Sequence, residues 1–355
     1  MLIKTEVRRL QQAQRKIKIL KAIVEAYIEN GEPVGSKVLC SLLDFPVSSA
    51  TVRNEMAELS ELGFLTQPHT SAGRVPSELG YRYYVESLME KKKLRGDVKA
   101  TIYDSLSYSG DDPEKLLNTA SRVVADLTNA CAISTTPSSE NARIHCLKFV
   151  QTGRHTCMVV LITSGGLINT KLFKCDYLIT PDIVRIYETL FNRNMEGLPL
   201  KGITPAFVQT MAAEMGELAM LVPNVLSAIM EACADVSGFG MAVSGRVNLL
   251  VNDETNLYSM KLLTAFLHSD EALESLMLGI KNDKNIIIGS DIGLHALRNY
   301  SVVSMPYSIE KGSGGLITAI VPMRSDYAYV VSVIEYTAEC VSRLLKTLLM
   351  LDEAG

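Results

Sequence analysis

Residues 15–76 carry three short helical stretches and a hairpin, each closed by its own stop signal, and that order admits few folds. In RKIKILKAIVEAYIEN (15–30), Ile17, Leu20, Ile23, Val24 and Ile28 fall on one helical stripe. Gly31 stands where a helix end needs a residue tolerant of positive φ. GEPVGSKVLCSLLD follows, with Pro33 opening a turn and Ser36 placed to cap a second helix. DFPVSS breaks that helix. Ser48 or Ser49 caps a third, SSATVRNEMAELSELGFL, and Gly63 stops it. FLTQPHTSAGRVP then reads as two strand pieces around a Ser-Ala-Gly turn, with Gly73-Arg74 at the tip. Helix, helix-turn-helix and hairpin is the order of a winged helix, a fold that reads duplex DNA.

The third helix has the side chains for that task. With Val52 at zero, Met56 and Leu59 lie within roughly 40° of it at about 100° per residue, so this stripe faces a core. The opposite side carries Ala50, Asn54 and Ala57, flanked by Thr51 and Arg53. Arg bridges guanine acceptors, Asn pairs with adenine, and Ala or Thr methyls meet the thymine methyl. Ser48 and Ser49, with the free amides beside them, suit a phosphate. A solvated helix face would use the same residue types, and the surrounding fold pattern is what favours base reading. On the hairpin, Arg74 is expected to lie along a phosphate or enter a narrow minor groove, with His69, Thr70 and Ser71 adding donors. Pro68 and Pro76 bracket the loop.

Charge agrees with a polyanion reader at one end. The net charge of −4 divides into 16 Lys and Arg against 12 Asp and Glu in residues 1–99, and 19 against 27 in the remainder. Residues 1–24 alone hold Lys4, Arg8, Arg9, Arg15, Lys16, Lys18 and Lys21 against Glu6, and these bases are expected to add phosphate contacts.

Beyond the hairpin, SELGYRYYVESLMEKKKL reads as an exit helix, with Lys91–Lys93 and Gly96 as a hinge. Asp111-Asp112-Pro113 opens another helix. RIHCLKFV-QTGR-HTCMVVLITSGGLINTKLF is an antiparallel meander, with Val150 opposite His155 and Cys146 opposite Val159. From Thr180 to about Asn282 the texture is helical, broken by FGMAVSGRVNLLV; strands resume at NIIIGS, YSVVSMPYSI and GGLITAIVPMRS before a final helix. A sheet interrupted and then resumed points to an α+β domain carrying an insertion.

Other chemistries find little support. The chain has no Gly-x-x-x-x-Gly-Lys-Ser/Thr, His-Glu-x-x-His or Gly-x-Ser-x-Gly, and no nucleophile-base pair is apparent, so no catalysis and no cofactor are expected. KGSGGL (311–316) reads as a hairpin turn. His145, Cys146, His155 and Cys157 resemble metal ligands until the hairpin separates them along the ladder. Seven scattered cysteines without Cys-x-x-Cys fit reduced thiols, and MLIKTEVRRLQQAQRK lacks the apolar core of a signal peptide; both point to the cytoplasm, away from a membrane.

GEPVGSKVL, SSATVRNEMAELSELGFLTQPHTSAGRVPSELGYRYYV and IIIGSDIG…YSVVSMPYSIEKGSGGLITAIVPMRSDYAYVVSVIEYTA closely resemble the heat-inducible transcription repressor HrcA family. The likeness covers most of the chain and is general only from about Thr180 to Asn282. It implies a winged-helix domain (1–98), a discontinuous GAF-like α+β domain (99–179 and 283–355) and a mainly helical dimerisation domain inserted at 180–282. It further implies a homodimer that represses chaperone genes from an inverted-repeat operator and needs the chaperonin to stay active. The recognition helix would be Ser48–Glu58 and the wing Gln67–Pro76. A small-molecule sensor built on the GAF-like domain is the alternative.

Overall fold

Local stop signals set the amino-terminal third of the chain. In a computed structural model describing residues 2–69, 72–109, 112–136, 143–164, 168–214, 222–236, 240–251, 257–280, 285–310 and 313–348, α1 (Leu2–Asn30) ends at Gly31, whose φ is +73°. α2 (Ser36–Leu42) and α3 (Ser49–Glu61) follow, then β1 (Leu65–Thr66) paired with β2 (Val75–Pro76), Leu65 opposite Pro76. Ile19, Leu20, Ile23 and Val24 of α1 bury with Leu39 of α2 and with Val52, Met56 and Leu59 of α3. Ser48 caps α3, its hydroxyl accepting from the Thr51 amide at 3.1 Å, a contact type that contributes about 1 kcal/mol. Ser36 is not the cap of α2. Gly35 occupies that position without a side-chain bond, and the Ser36 hydroxyl lies 2.9 Å from that of Ser49, tying the starts of α2 and α3 together.

The exit helix α4 (Glu78–Tyr83) widens into one π-helical turn over Tyr84–Leu88. α5 (Gly96–Ser107) and α6 (Pro113–Thr128) come next, the latter capped by Asp112, which accepts from the amides of Glu114 and Lys115. The expected helix start at Asp111 lies outside the described residues. The chain continues through β3 (Cys131–Thr135), β4 (Ile144–Gln151), β5 (Thr156–Thr163), β6 (Ile168–Lys174), α7 (Pro181–Met195), α8 (Pro205–Glu214), α9 (Pro223–Val236) and β7 (Met241–Ser244). α10 (Leu257–His268), α11 (Asp270–Gly279), β8 (Ile286–Ile288), β9 (Tyr300–Glu310), β10 (Ser313–Pro322) and α12 (Tyr327–Leu348) complete it.

Besides the β1-β2 pair, the described strands form two sheets, and these divide the chain differently from the limits read off the sequence. β7, β3, β10, β9 and β8 lie in that order in one antiparallel sheet. One face packs on α6 and α12, which α5 in turn backs. The other, with Cys131, Ile133, Tyr300, Val302 and Ile320, packs on Leu263, Phe266 and Leu267 of α10 and on Leu273, Leu276 and Met277 of α11. β7, α10 and α11, expected in the insert, thus belong with the five-stranded sheet. The meander β4-β5-β6, expected in the same domain as the carboxy-terminal strands, is a separate sheet. Its inner residues Leu147, Phe149, Val159, Leu161 and Phe173 form their own core with Tyr187 and Phe191 of α7 and Val225 and Ile229 of α9. The Phe149 ring lies 5.4 Å from that of Tyr187 and 5.6 Å from that of Phe191.

The hairpin register also differs. Val150 is opposite Met158, and Cys146 is opposite Ile162. The turn takes more chain than expected because the amides of Thr152 and Gly153 both donate to the Thr156 carbonyl at 3.1 Å. An odd shift exchanges faces, so Cys157 is buried in the inner core while Cys146 sits on the outer face. At the other hairpin, Glu310 pairs with Ser313; residues 311 and 312 lie outside the described residues.

A cavity left by Phe191→Ala should cost about 3–5 kcal/mol. Hydrogen exchange should then quicken across β4–β6, α7 and α9 and stay unchanged in β9 and β10. Loss of protection in both sheets together would show that the two cores are not separate.

Candidate nucleic-acid interface

α3 presents the strip expected of it. Ala50, Arg53 and Asn54 are exposed, Thr51 and Ala57 half-buried, while Val52, Met56 and Leu59 are buried. The serines do other work. Ser48 is committed to its cap and lies 2.8 Å from the Thr51 hydroxyl, and Ser49 faces Ser36. Arg53 and Asn54 are therefore the long polar groups on the strip that also carries Ala50 and Ala57, while Glu58 and Glu61 are exposed nearer the end of α3.

Glu55, a charged residue outside the apolar stripe of α3, is nevertheless only 4% exposed on its core side. Arg15 of α1 donates to it from Nε at 2.9 Å and also from its guanidinium Nη2. The second carboxylate oxygen is buried and has no hydrogen-bond partner among the described residues. A charge at a core position is legible in sequence only when its partner is known, and Arg15 lies forty residues away. Three more of the bases expected on phosphate are also engaged internally: Lys16 pairs with Glu58 at 2.5 Å, Lys18 with Asp44 at 2.9 Å and Lys21 with Glu90 at 2.5 Å. These pairs fix α1 on α3, on the start of the loop after α2 and on the exit segment. The side chains of Lys4, Arg8 and Arg9 lie outside the description.

Arg74 is not at the tip of the hairpin. It is half-buried at the base, where its amide donates to the Val34 carbonyl and its carbonyl accepts from the Val34 amide, each at 2.9 Å. Its Nε donates to the Ser60 hydroxyl at 3.0 Å, in the last turn of α3. Gly73 is required by the same contact: a Cβ there would lie 2.4 Å from the Val34 carbonyl carbon and oxygen and 2.8 Å from the Pro33 oxygen. The sequence shows a Gly-Arg pair beside a strand but not the loop that closes on it. His69 is exposed, its carbonyl accepting from the Ala72 amide at 2.9 Å, and Gln67 donates to the Ala72 carbonyl at 3.0 Å. Thr70 and Ser71, between them, lie outside the described residues.

The exit tyrosines divide their duties. Tyr83 meets Phe64 edge-on at 5.4 Å, Tyr84 donates to Glu25 at 3.4 Å, and Tyr81 meets Tyr327 at 6.1 Å. Burial, and then the nearby Glu25 carboxylate, pushes the Tyr84 phenol up.

Burial likewise pushes the Cys157 and Cys233 thiols up to about 11 and Cys131 to about 12, which leaves them protonated near neutral pH and poor nucleophiles. His155 Nδ1 lies 2.9 Å from the Tyr177 carbonyl. Among the described residues no group of His, Cys, Asp and Glu is arranged to hold a metal, and no helix is long and apolar enough to cross a membrane.

The profile of the HrcA protein C-terminal domain matches residues 114–331. The chain is 31% identical to the heat-inducible transcription repressor HrcA of Lachnoclostridium phytofermentans, over 92% of this chain and 95% of that one. It is 32% identical to the protein of the same name from Clostridioides difficile, over 93% and 98%. A crystal structure of a hypothetical protein at 2.2 Å is similar with a TM-score of 0.62 and 25% identity, covering 94% of this chain and 98% of that one. The class is therefore that of transcription regulators, without enzymatic chemistry. The chain belongs to the HrcA family of heat-inducible transcription repressors.

Two substitutions test how α3 is held. Arg15→Met strands Glu55 and should cost about 3–5 kcal/mol in denaturant unfolding, whereas Arg15→Met with Glu55→Leu should recover most of that loss. Gly73→Ala, whose Cβ meets backbone, should cost about 1–3 kcal/mol and loosen the hairpin in hydrogen exchange.

Proposed function

We propose that the protein represses heat-shock chaperone genes in the cytoplasm by binding an inverted-repeat operator as a homodimer. The observation that carries this reading is the exposed strip of Ala50, Arg53 and Asn54 on a helix fixed from behind by Glu55–Arg15 and at its end by Arg74. Residues 1–98 act as the winged helix, with α3 as recognition helix in the major groove. The exposed tip around His69 is the part of the wing that approaches DNA, with Thr70 and Ser71 as further donors; the backbone amides at Ser48–Ala50, not the engaged Ser48 and Ser49 hydroxyls, present the helix start to a phosphate. Arg74 supports that contact from the base of the wing. Repression follows from occupying promoter DNA.

The five-stranded-sheet unit takes the place of the GAF-like domain, and β4–β6 with α7–α9 that of the dimerisation insert. What supports the second assignment is the outer face of the meander. Val150, Met158 and Leu172 are aligned across the three strands, Ile162 is opposite Ile168, and Ile168 and Leu172 are 66% and 69% exposed. An apolar sheet face of this kind marks an interaction surface, and a second copy brings two recognition helices to two half-sites. The sensor reading ranks below this one, because both faces of the five-stranded sheet are filled with side chains. A chaperonin as the partner that keeps the repressor active rests on family membership.

A mobility-shift titration tests the core of the reading: no preference for any inverted repeat over random duplex would sink it. Asn54→Ala should cost about 1–3 kcal/mol of binding and relax base preference at one position per half-site, and Arg53→Ala should do the same at another. Leu172→Glu should give a monomer by light scattering and lose tight binding to the full repeat while keeping its fold by circular dichroism. After brief heating, purified chaperonin with ATP should restore the shifted band.

A further inference from the structure

Lys91–Lys93, read from the sequence as a hinge, is strapped along α12. Lys92 pairs with Asp326 at 2.5 Å, Lys91 pairs with Glu335 at 2.8 Å, and the Ser332 hydroxyl donates to the Lys92 carbonyl at 2.6 Å. Other contacts reach the amino-terminal module from the same side. Glu78, in the first turn of α4, accepts from the Ser290 amide at 3.1 Å and from the Ser290 hydroxyl. One turn on, Arg82 donates to Glu78 at 3.0 Å and forms an ion pair with Asp291 at 2.9 Å, so a carboxylate and a guanidinium from the module meet a Ser-Asp pair of the body. Gly289 in the body loop has a φ of +54°, which favours glycine, and the loop lies against the ends of the Glu78 and Met323 side chains. Arg324 lies 3.5 Å from the Ile28 carbonyl, at the carboxy-terminal end of α1, where a cation is favoured by the helix dipole. Tyr327, fully buried, meets Tyr81.

We propose that this polar joint fixes the orientation of each DNA-binding module on its body, with Ser290, Asp291, Arg324 and Asp326 as positioning residues that set the half-site spacing the dimer accepts. The inference rests on the dimeric repressor reading above. Two body segments, 289–291 and 324–335, grip three separate elements of the module: the end of α1, the exit helix α4 and the strap at 91–92. None of the four residues lies on α3 or the wing, so none is placed to touch DNA itself. They act through geometry. A module held rigidly presents its partner's recognition helix at one distance, and the effective concentration of the second helix at the second half-site is then high. A module that swivels loses that advantage without losing any contact to a single half-site.

The test uses the full-length protein and three kinds of duplex: a single half-site, the inverted repeat that the wild type selects from a randomised pool, and that repeat with its spacer lengthened or shortened. Ser290→Ala with Asp291→Ala, and separately Arg324→Ala, should leave half-site affinity unchanged. Affinity for the full repeat should fall about tenfold or more, and the preference for one spacer length should flatten. Asp326→Lys should behave likewise, and adding Lys92→Asp should restore spacer discrimination, a rescue that general destabilisation does not produce. Variants that keep both full-repeat affinity and spacer preference overturn the joint. So do variants in which half-site and full-repeat binding fall together, and a charge swap that fails to rescue. A wild-type protein that selects no inverted repeat overturns the repressor reading itself, a result distinct from any of these.

Discussion

Arg15 and Glu55 join the first and third helices by an ion pair on the buried side of α3, and the exposed side of that helix is oriented by it. A carboxylate in this position needs its partner. Removing one member leaves a charge out of water at a cost of about 3–5 kcal/mol, while replacing both by apolar groups of similar size is near neutral. The pair therefore contributes register more than stability: it allows one rotation of α3 about its own axis, the one that buries Val52, Met56 and Leu59 and turns Arg53 and Asn54 outward. Arg74 completes the restraint by tying the last turn of α3 to the hairpin base, and the Val34 bridge ties that base to the turn after α1.

What was legible in the sequence follows the range of the interactions. Helix ends set by a nearby hydroxyl, carboxylate or glycine, such as Ser48, Asp112, Gly31 and Gly63, are local signals and could be read directly. The order of three helices and a hairpin followed from them. Ser36 shows the limit even there, since a serine at a helix start bonds another serine thirteen residues on when that one is closer to hand. Arg74 shows a harder one. Glycine beside arginine next to a strand describes a tip and a backbone crossing equally well, and only the position of Val34 decides between them.

The division into sheets was less legible still. An alternating strand such as TCMVVLIT states that it has an inner and an outer face but not which sheet it joins. The meander and the carboxy-terminal strands have the same texture, and their separation depends on helices α7 and α9 covering one and α10 and α11 the other. β7 enters the five-stranded sheet from within the helical block because it pairs with β3, more than a hundred residues earlier. The face of the meander left open carries the apolar band Val150–Met158–Leu172 beside Lys148 and Lys174.

The joint between module and body was invisible in sequence, because its partners are more than two hundred residues apart. Its make-up bears on how such a protein can respond to its own folded state. Each of its exposed ion pairs contributes at most about 1 kcal/mol, so no single contact holds the module. Arg324, Asp326, Tyr327, Ser332 and Glu335 nevertheless come from one stretch at the start of α12, and that stretch is in place only while α12 is packed on β9. Contacts that are weak singly but share one packed support are made and lost together. In the proposed dimer, loosening the body therefore removes the alignment of both recognition helices without altering α3, and refolding the body restores it.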